Sequence, residues 1–194
     1  MKKTFLLIAI VFAIFAKGQE NNSDTALLII DIQYFYYADG KMELVNPEPA
    51  GKNAAKLLNA FREKGKTVIH VRHNFEPGGN IHRVVAPLEN EKIISKNFAN
   101  SFRETDLLEY LNSKQIKTLI ICGMQTHMCV EAATRAATDL GFSCIVVHDA
   151  CATRDLKFED KVVKAEDVHY STLSSLTAYA KIMSTVDFLK GFAK

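Results

Sequence analysis

The chain has 194 residues, of which 48% are hydrophobic and 24% are charged. This composition is typical of one globular domain with a well-buried core and excludes a disordered chain. The 24 basic and 22 acidic residues are dispersed and leave a formal charge of +2, so we expect no nucleic-acid partner. A small molecule is the more natural ligand.

The N-terminal segment has the features of a secretory signal peptide. Two lysines precede an apolar run, residues 4–16, and small residues follow where a signal peptidase cleaves. The alternative, an uncleaved membrane anchor, requires about 20 apolar residues, and this run is shorter. We therefore predict a signal peptide (1–18), a polar linker (19–24) and one domain (25–194). The protein would be exported to the periplasm without a stable membrane anchor.

The first half of the mature chain alternates between strand-like and helical patterns. The predicted segments are a strand at 26–30, a helix at 47–65, a strand at 67–71, a loop at 72–91 and a strand at 93–95. The first strand is continuously apolar, which is typical of a strand buried on both faces of a parallel sheet. The loop contains two prolines and two glycines, and its length usually marks a binding or active-site element.

The same alternation continues to the C-terminus. The predicted segments are a helix at 105–113, a strand at 118–121, a helix at 127–140, a strand at 143–147, a helix at 165–180, a strand at 182–183 and a last helical turn. This order predicts a three-layer α/β/α fold around a central, mostly parallel sheet, of the Rossmann-like kind. In such open sheets ligands bind at the carboxyl ends of the strands.

Three reactive side chains fall at those strand ends. Asp31 closes the first strand, Lys96 closes the third, and Cys129 follows the fourth, in the turn that enters a helix. A carboxylate directly after an apolar run loses hydration and needs a cationic partner, which Lys96 can supply. A helix start and a nearby lysine favour a thiolate, so we expect a lowered pKa for Cys129. Each residue alone also has a structural explanation, as a turn residue, a solvated strand end or a small core residue.

The four cysteines leave a second interpretation open. An even number of cysteines in an exported protein suggests disulfides, and Cys129 could pair with Cys122, Cys144 or Cys151. The chain has no C-x-x-C pair, and two of the four lie in apolar runs where cysteine behaves as a small hydrophobe. A nucleophile must stay free, so a disulfide at Cys129 would exclude catalysis.

Four segments of the sequence resemble one enzyme family. They are residues 28–33 (LIIDIQ), 69–73 (IHVRH), 94–102 (ISKNFANSF) and 119–137 (LIICGMQTHMCVEAATRAA). In this order they are similar to the isochorismatase-like cysteine hydrolases, which include nicotinamidases and N-carbamoylsarcosine amidohydrolase. The resemblance covers essentially the whole mature chain, and its most specific part is the element Gly-x-Gln-Thr-His-x-Cys-Val-Glu-Ala.

The resemblance implies a cysteine-dependent hydrolase that acts on a small amide or carbamoyl substrate. Asp31 would take the proton of Cys129, Lys96 would hold the pair, and the thiolate would attack the carbonyl to form a thioester. A cis peptide is implied between Met124 and Gln125, with the backbone N–H groups of Gln125 and Cys129 forming an oxyanion hole. The family also implies a dimer or tetramer, and we expect no cofactor.

The chain departs from the nicotinamidases after the second strand. Those enzymes carry a metal-binding Asp-x-His element, whereas residues 72–79 read RHNFEPGG. His70 and His73 are three apart on a strand and would point to opposite faces, so we expect no metal site. Tyr36, Arg72 and His73 can also be read as a half-buried aromatic and a solvated loop start. The candidate substrate contacts are Gln33, Tyr36, Arg72 and His73.

Two other functions remain as alternatives. True isochorismatases cleave a vinyl ether without a cysteine nucleophile, so Cys129 argues against that reaction. A non-catalytic binding protein on the same fold is the second alternative, because a fold alone does not prove a function. Such a protein would be expected to lose one of the three reactive residues, and all three are present.

Overall fold

The structure is a computed structural model that describes residues 24–192. The predicted signal peptide, residues 1–18, lies outside the described residues. No helix within 24–192 is long and apolar enough to cross a membrane. The strands and helices, in chain order, are β1 (Thr25–Ile30), α1 (Pro47–Glu63), β2 (Thr67–His73), β3 (Lys92–Lys96), α2 (Leu107–Ser113), β4 (Thr118–Met124), α3 (Glu131–Asp139), β5 (Ser143–Ala152), β6 (Leu156–Phe158), β7 (Lys161–Val163), α4 (Ala165–Leu176), β8 (Ala180–Met183) and α5 (Thr185–Phe192).

Six of the strands form one sheet in the order β3-β2-β1-β4-β5-β8. Every neighbouring pair is parallel, so the carboxyl ends of all six strands lie at one edge. α1 packs on the sheet together with α5, and α3 packs on it together with α4. The predicted three-layer α/β/α fold is confirmed.

The central strand and the first helix follow directly from their sequences. Residues 26–30 of β1 are at most 1% exposed, because helices cover both faces of the sheet. α1 begins with Pro47, whose fixed φ suits the first helical position. It ends where Gly65 takes a left-handed conformation, and the N–H of Lys66 then donates to the carbonyl of Phe61, a glycine-dependent helix stop.

The largest differences between the predicted segments and the structure lie in the second half of the chain. β5 continues to Ala152, beyond the predicted end at residue 147, because polar residues interrupt its apolar pattern. The hairpin of β6 and β7 was not predicted, since only three residues form each strand. The helix predicted to reach residue 180 ends at Leu176, because residue 180 already belongs to β8. The helix predicted from residue 127 starts as a π-helical turn, Thr126–Val130, before α3.

Candidate active site

The carboxyl edge of the sheet brings the three reactive side chains together. Asp31 follows β1, Lys96 is the last residue of β3, and Cys129 lies in the turn after β4. Lys96 Nζ donates a hydrogen bond to Asp31 Oδ2 at 2.7 Å and another to Cys129 Sγ at 3.3 Å. All three residues are buried, at 0–2% exposure. The sequence predicted this convergence from strand ends alone.

The backbone around the thiol is tightly constrained. The peptide between Met124 and Gln125 is cis, at the position that the family resemblance implied. The Gln125 carbonyl then accepts hydrogen bonds from the N–H groups of Met128 and Val130, which closes the π-helical turn around the cysteine. Gly123 has φ +129°, and a Cβ atom there would lie 1.9 Å from the carbonyl oxygen of Ile30. Only glycine fits this approach of β4 to β1.

Asp31 is a buried carboxylate with one oxygen engaged and one free. Burial raises its pKa, and the charge and hydrogen bond of Lys96 act in the opposite direction. Its Oδ2 accepts from Lys96, whereas its Oδ1 is buried with no hydrogen-bond partner among the described residues. An unpartnered buried oxygen of this kind is suited to accept a proton.

The thiol of Cys129 is not predisposed to ionise. Burial and, after it, the charge of Asp31 raise its pKa, Lys96 opposes them only in part, and the net result is a pKa of about 12. The expectation of a lowered thiol pKa at a helix start was therefore wrong. The sulfur is removed from water and faces a carboxylate, and together these outweigh the lysine. The resting site holds a protonated thiol beside a carboxylate–ammonium pair.

Gln33 links the end of β2 to the loop that follows it. Its side-chain Nε2 donates to the carbonyls of His73 and Gly79 at 2.9 and 2.6 Å, and its Oε1 accepts from the N–H of His73 at 2.8 Å. Gln33 is completely buried, so both of its N–H bonds are used inside the protein. We expected a substrate contact here, and the structure instead shows a link between the end of β2 and the following loop.

A second chain of hydrogen-bonded side chains includes those of Gln125 and Arg154, which the sequence did not point to. Gln125 Nε2 donates to the hydroxyl of Tyr36 at 3.2 Å, and Arg154 Nε donates to Gln125 Oε1 at 3.1 Å. Burial raises the pKa of Tyr36, so its hydroxyl stays neutral. Arg154 comes two residues after the true end of β5. A search of the residues that directly follow each strand would have found Arg154, but β5 was predicted to end five residues too early.

The two histidines of β2 point to opposite faces, as their spacing predicted. His70 Nε2 lies 2.9 Å from Glu91 Oε2, whereas His73 Nδ1 lies 3.3 Å from Lys96 Nζ. Arg72 pairs with Ser95 in the β2–β3 register and shares the face of His70. The structure therefore brings His73 to the three reactive residues, but not Arg72.

A positive charge already occupies the place where these groups converge. Among residues 24–192, Asp31, His73 and Cys129 offer ligand atoms that lie within 4.8 Å of one another. Lys96 Nζ is within 3.3 Å of an atom of each of them. The set that could hold a metal ion thus surrounds an ammonium group.

All four cysteines are free and buried. The structure therefore gives no disulfide that would block Cys129. Cys122, Cys144 and Cys151 also have thiol pKa values raised by burial, and they lie in β4 and β5. They behave as small core residues.

Comparison with known proteins assigns this architecture to a family. The isochorismatase domain model matches residues 25–179. The chain belongs to the isochorismatase family. An uncharacterised isochorismatase family protein from Bacillus subtilis, YddQ, is 48% identical over 178 residues, which cover 86% of this chain and 99% of the relative. A crystal structure of an isochorismatase from Pseudomonas putida superposes with a TM-score of 0.81 at 35% identity, covering 86% of this chain and 90% of that one.

Other isochorismatase relatives carry more specific names. A secreted isochorismatase effector from Verticillium dahliae is 31% identical over 172 residues, covering 80% of this chain and 90% of the relative. Maleamate amidohydrolase from Pseudomonas putida is 28% identical over 154 residues, covering 66% and 72%. Streptothricin hydrolase from Streptomyces noursei is 29% identical over 140 residues, covering 68% and 55%.

Proposed function

We propose that this isochorismatase-family protein is a cysteine-dependent amidohydrolase that cleaves the C–N bond of a small amide or carbamoyl substrate. One observation carries the proposal: a buried ammonium, Lys96 Nζ, contacts both the carboxylate of Asp31 and the sulfur of Cys129. A lysine, an aspartate and a cysteine buried together provide a base, a nucleophile and a charge that stabilises both.

The first half of the reaction forms an acyl-enzyme. Asp31 takes the thiol proton of Cys129 as the sulfur attacks the substrate carbonyl, which creates a C–S bond and an oxyanion. The backbone N–H groups of Gln125 and Cys129 would hold that oxyanion. The protonated Asp31 then gives its proton to the leaving nitrogen, the C–N bond breaks, and ammonia or an amine departs. A thioester remains on Cys129.

The second half of the reaction returns the free enzyme. Asp31 removes a proton from a water molecule, and the resulting hydroxide attacks the thioester carbonyl. The C–S bond breaks, the carboxylic acid product leaves, and the thiolate recovers its proton from Asp31. Lys96 keeps its positive charge throughout, and it balances the negative charge as this moves between the carboxylate and the sulfur.

The raised thiol pKa supports this order of steps. A thiol with a pKa of about 12 is almost entirely protonated at neutral pH, so attack requires a base within reach. Asp31 provides one, because its Oδ1 is unpartnered among the described residues and burial raises its own pKa. Burial thus raises the pKa of both the thiol that gives the proton and the carboxyl that accepts it, so Asp31 is a stronger base than an aspartate in water.

The amide class is supported by relatives and by the nucleophile. Maleamate amidohydrolase and streptothricin hydrolase are both related to this chain. A cysteine that attacks a carbonyl suits amides, whereas hydrolysis of a vinyl ether involves no acyl intermediate. Nicotinamide belongs in the test panel, although residues 72–79 lack the Asp-x-His element of nicotinamidases.

The proposal is tested by trapping the acyl-enzyme. The mature protein is incubated with nicotinamide, maleamate, an N-carbamoyl amino acid and an enolpyruvyl (vinyl) ether, and release of ammonia from the amides or pyruvate from the ether is followed together with intact mass. We expect ammonia from at least one amide and a transient mass increase on Cys129. Cys129→Ser should lose both signals, and Cys144→Ser, a matched buried cysteine, should keep them. Turnover without dependence on Cys129 would contradict the proposal.

We also propose that the protein is exported and self-associates. The N-terminal signal features and the relative described as secreted support export. The β6–β7 hairpin supports self-association, because Phe158, Val162 and Val163 are 74%, 54% and 43% exposed on it, and clustered exposed apolar side chains commonly mark an interface. The mass of the mature N-terminus recovered from a periplasmic fraction tests export.

A further inference from the structure

His73 is the third neighbour of the Lys96 ammonium. An ammonium group has three donors and no acceptor. Three acceptor atoms surround Lys96 Nζ: Asp31 Oδ2 at 2.7 Å, Cys129 Sγ at 3.3 Å and His73 Nδ1 at 3.3 Å. The contact with Nδ1 is a hydrogen bond only when that atom carries no proton, that is, when the ring is neutral with its hydrogen on Nε2.

His73 is itself held in place from both sides of its backbone. The buried amide of Gln33 accepts from the His73 N–H at 2.8 Å and donates to the His73 carbonyl at 2.9 Å. His73 also faces Lys96 directly in the β2–β3 register. The backbone of His73 is therefore fixed by the scaffold at the place from which its ring reaches Lys96 Nζ.

We propose that His73 is a positioning residue, which fixes the Lys96 ammonium between Asp31 and Cys129, and that protonation of its ring withdraws this support. The proposal rests on the proposed function and adds a residue to its machinery. A lysine has a flexible four-carbon stem, and only a complete set of acceptors restricts its head group to one orientation. His73 completes that set.

The groups around His73 lower the pH at which its ring gains a proton, so loss of its support for Lys96 is expected only in acid. The charged or titratable groups that face its Nδ1 are Asp31 from the end of β1, Lys96 from β3 and Cys129 from the turn after β4. Burial lowers the pKa of His73, the charge of Lys96 lowers it further, and Asp31 opposes both. The ring therefore stays neutral to a lower pH than the ring of an ordinary histidine. Once protonated, it places a second cation against Lys96 and a donor where an acceptor is needed.

A matched pair of variants isolates the acceptor. His73→Asn and His73→Leu introduce side chains of nearly the same shape, and only asparagine keeps an acceptor close to the position of Nδ1. The probe is iodoacetamide, with labelling of Cys129 mapped by mass spectrometry, which requires no substrate. We expect His73→Leu to label about tenfold more slowly than His73→Asn, because a mobile ammonium stabilises the thiolate less. His73→Asn should label within about twofold of the wild type.

The outcomes separate this proposal from the proposed function. Equal labelling of the two variants, with equal thermal melting, overturns the positioning role even if the enzyme is active. The expected difference in labelling, with no amide hydrolysed, supports the positioning role and removes the amidohydrolase. When an amide is hydrolysed, the acid limb of kcat/KM should show two protonation steps in the wild type and one in His73→Asn, and an unchanged limb overturns the proposed effect of His73 protonation.

A measurement on the wild type covers the case in which His73→Leu does not fold. The nitrogen-15 chemical shift of the His73 ring reports which nitrogen is protonated. We expect an unprotonated Nδ1 and a protonated Nε2 at neutral pH. A hydrogen on Nδ1 would overturn the proposal, because that atom could then not accept from Lys96.

Discussion

Asp31→Asn should have opposite effects on thiol ionisation and on turnover. The charge of Asp31 raises the pKa of Cys129, and the same carboxylate is the proposed proton acceptor. Asparagine keeps the size of the side chain but removes both the charge and the base. We therefore expect a thiol that ionises more easily in an enzyme that no longer turns over.

The expected size follows from the spacing in the site. A carboxylate oxygen of Asp31 lies within 4.8 Å of Cys129 Sγ. A unit charge at that separation contributes about 3 kcal/mol at an effective dielectric constant of about 20, which is roughly two pKa units. The pKa of Cys129, about 12 in the wild type, should therefore fall to roughly 10. Turnover should fall by about 10²- to 10⁴-fold, the usual loss for a missing general base.

The assay is a pH titration of thiolate ultraviolet absorbance. Because the chain has four cysteines, each curve is taken as a difference from the same protein carrying Cys129→Ser. Asp31→Asn leaves a buried lysine without its carboxylate, which costs about 3–5 kcal/mol, so measurements are made well below its melting temperature. A thiol pKa that stays at or above the wild-type value in the folded variant would refute the reasoning, since burial and not the charge of Asp31 would then determine the pKa of Cys129.

Four further predictions concern other parts of the molecule. Glu91 is partly buried, which raises its pKa, but hydrogen bonds from Arg62, the Leu88 N–H and His70 outweigh this and lower the pKa from 4.5 to about 2. Its stabilisation is complete above about pH 4.5 and is lost as the pH falls through about 2; the change is about 3 kcal/mol, and urea unfolding of Glu91→Gln should show no such loss. Gly123→Ala should lower the free energy of unfolding by about 3 kcal/mol or more, because the new Cβ meets the Ile30 carbonyl at 1.9 Å; unchanged thermal melting would contradict this. Arg154→Gln should raise KM for amides that bear a carboxylate by about tenfold and leave neutral amides nearly unaffected; an equal rise for both kinds in steady-state kinetics would show that the arginine only supports Gln125. Phe158→Ser should shift the protein toward monomer in analytical ultracentrifugation, with Val186→Ser, an exposed apolar position outside the hairpin, as the control; no difference between the two would exclude the hairpin from the interface.

The principle that ligands bind at the carboxyl ends of parallel strands pointed to Asp31 and Lys96, because the apolar run of each strand ends abruptly in the sequence. Five apolar residues precede Asp31, and the short run 93–95 precedes Lys96, so each polar side chain could be assigned to the carboxyl edge of the sheet. The rule failed at β5, whose polar interruptions concealed its last five residues. Arg154, just beyond that end, was missed for the same reason.

Two properties of the site depend on tertiary contacts that a sequence does not specify. The pKa of Cys129 was predicted in the wrong direction, because the helix-start argument included Lys96 but not burial or the charge of Asp31. Gln33 was expected to face a substrate, yet its amide is enclosed by His73 and Gly79. Both errors arose from segments distant along the chain that fold against the residue in question.

The ammonium at the centre of the site is the side chain of Lys96, so every copy of the folded protein contains one. A dissociable cation would occupy the same cradle of Asp31, His73 and Cys129 only to the extent that its concentration outside exceeded its Kd. Lys96 is tethered through a stem that is itself fully buried, so dilution and chelators cannot strip this charge from the folded protein. The electrostatics of the crevice would therefore be the same in every medium that keeps the chain folded, a property that would suit the export proposed above.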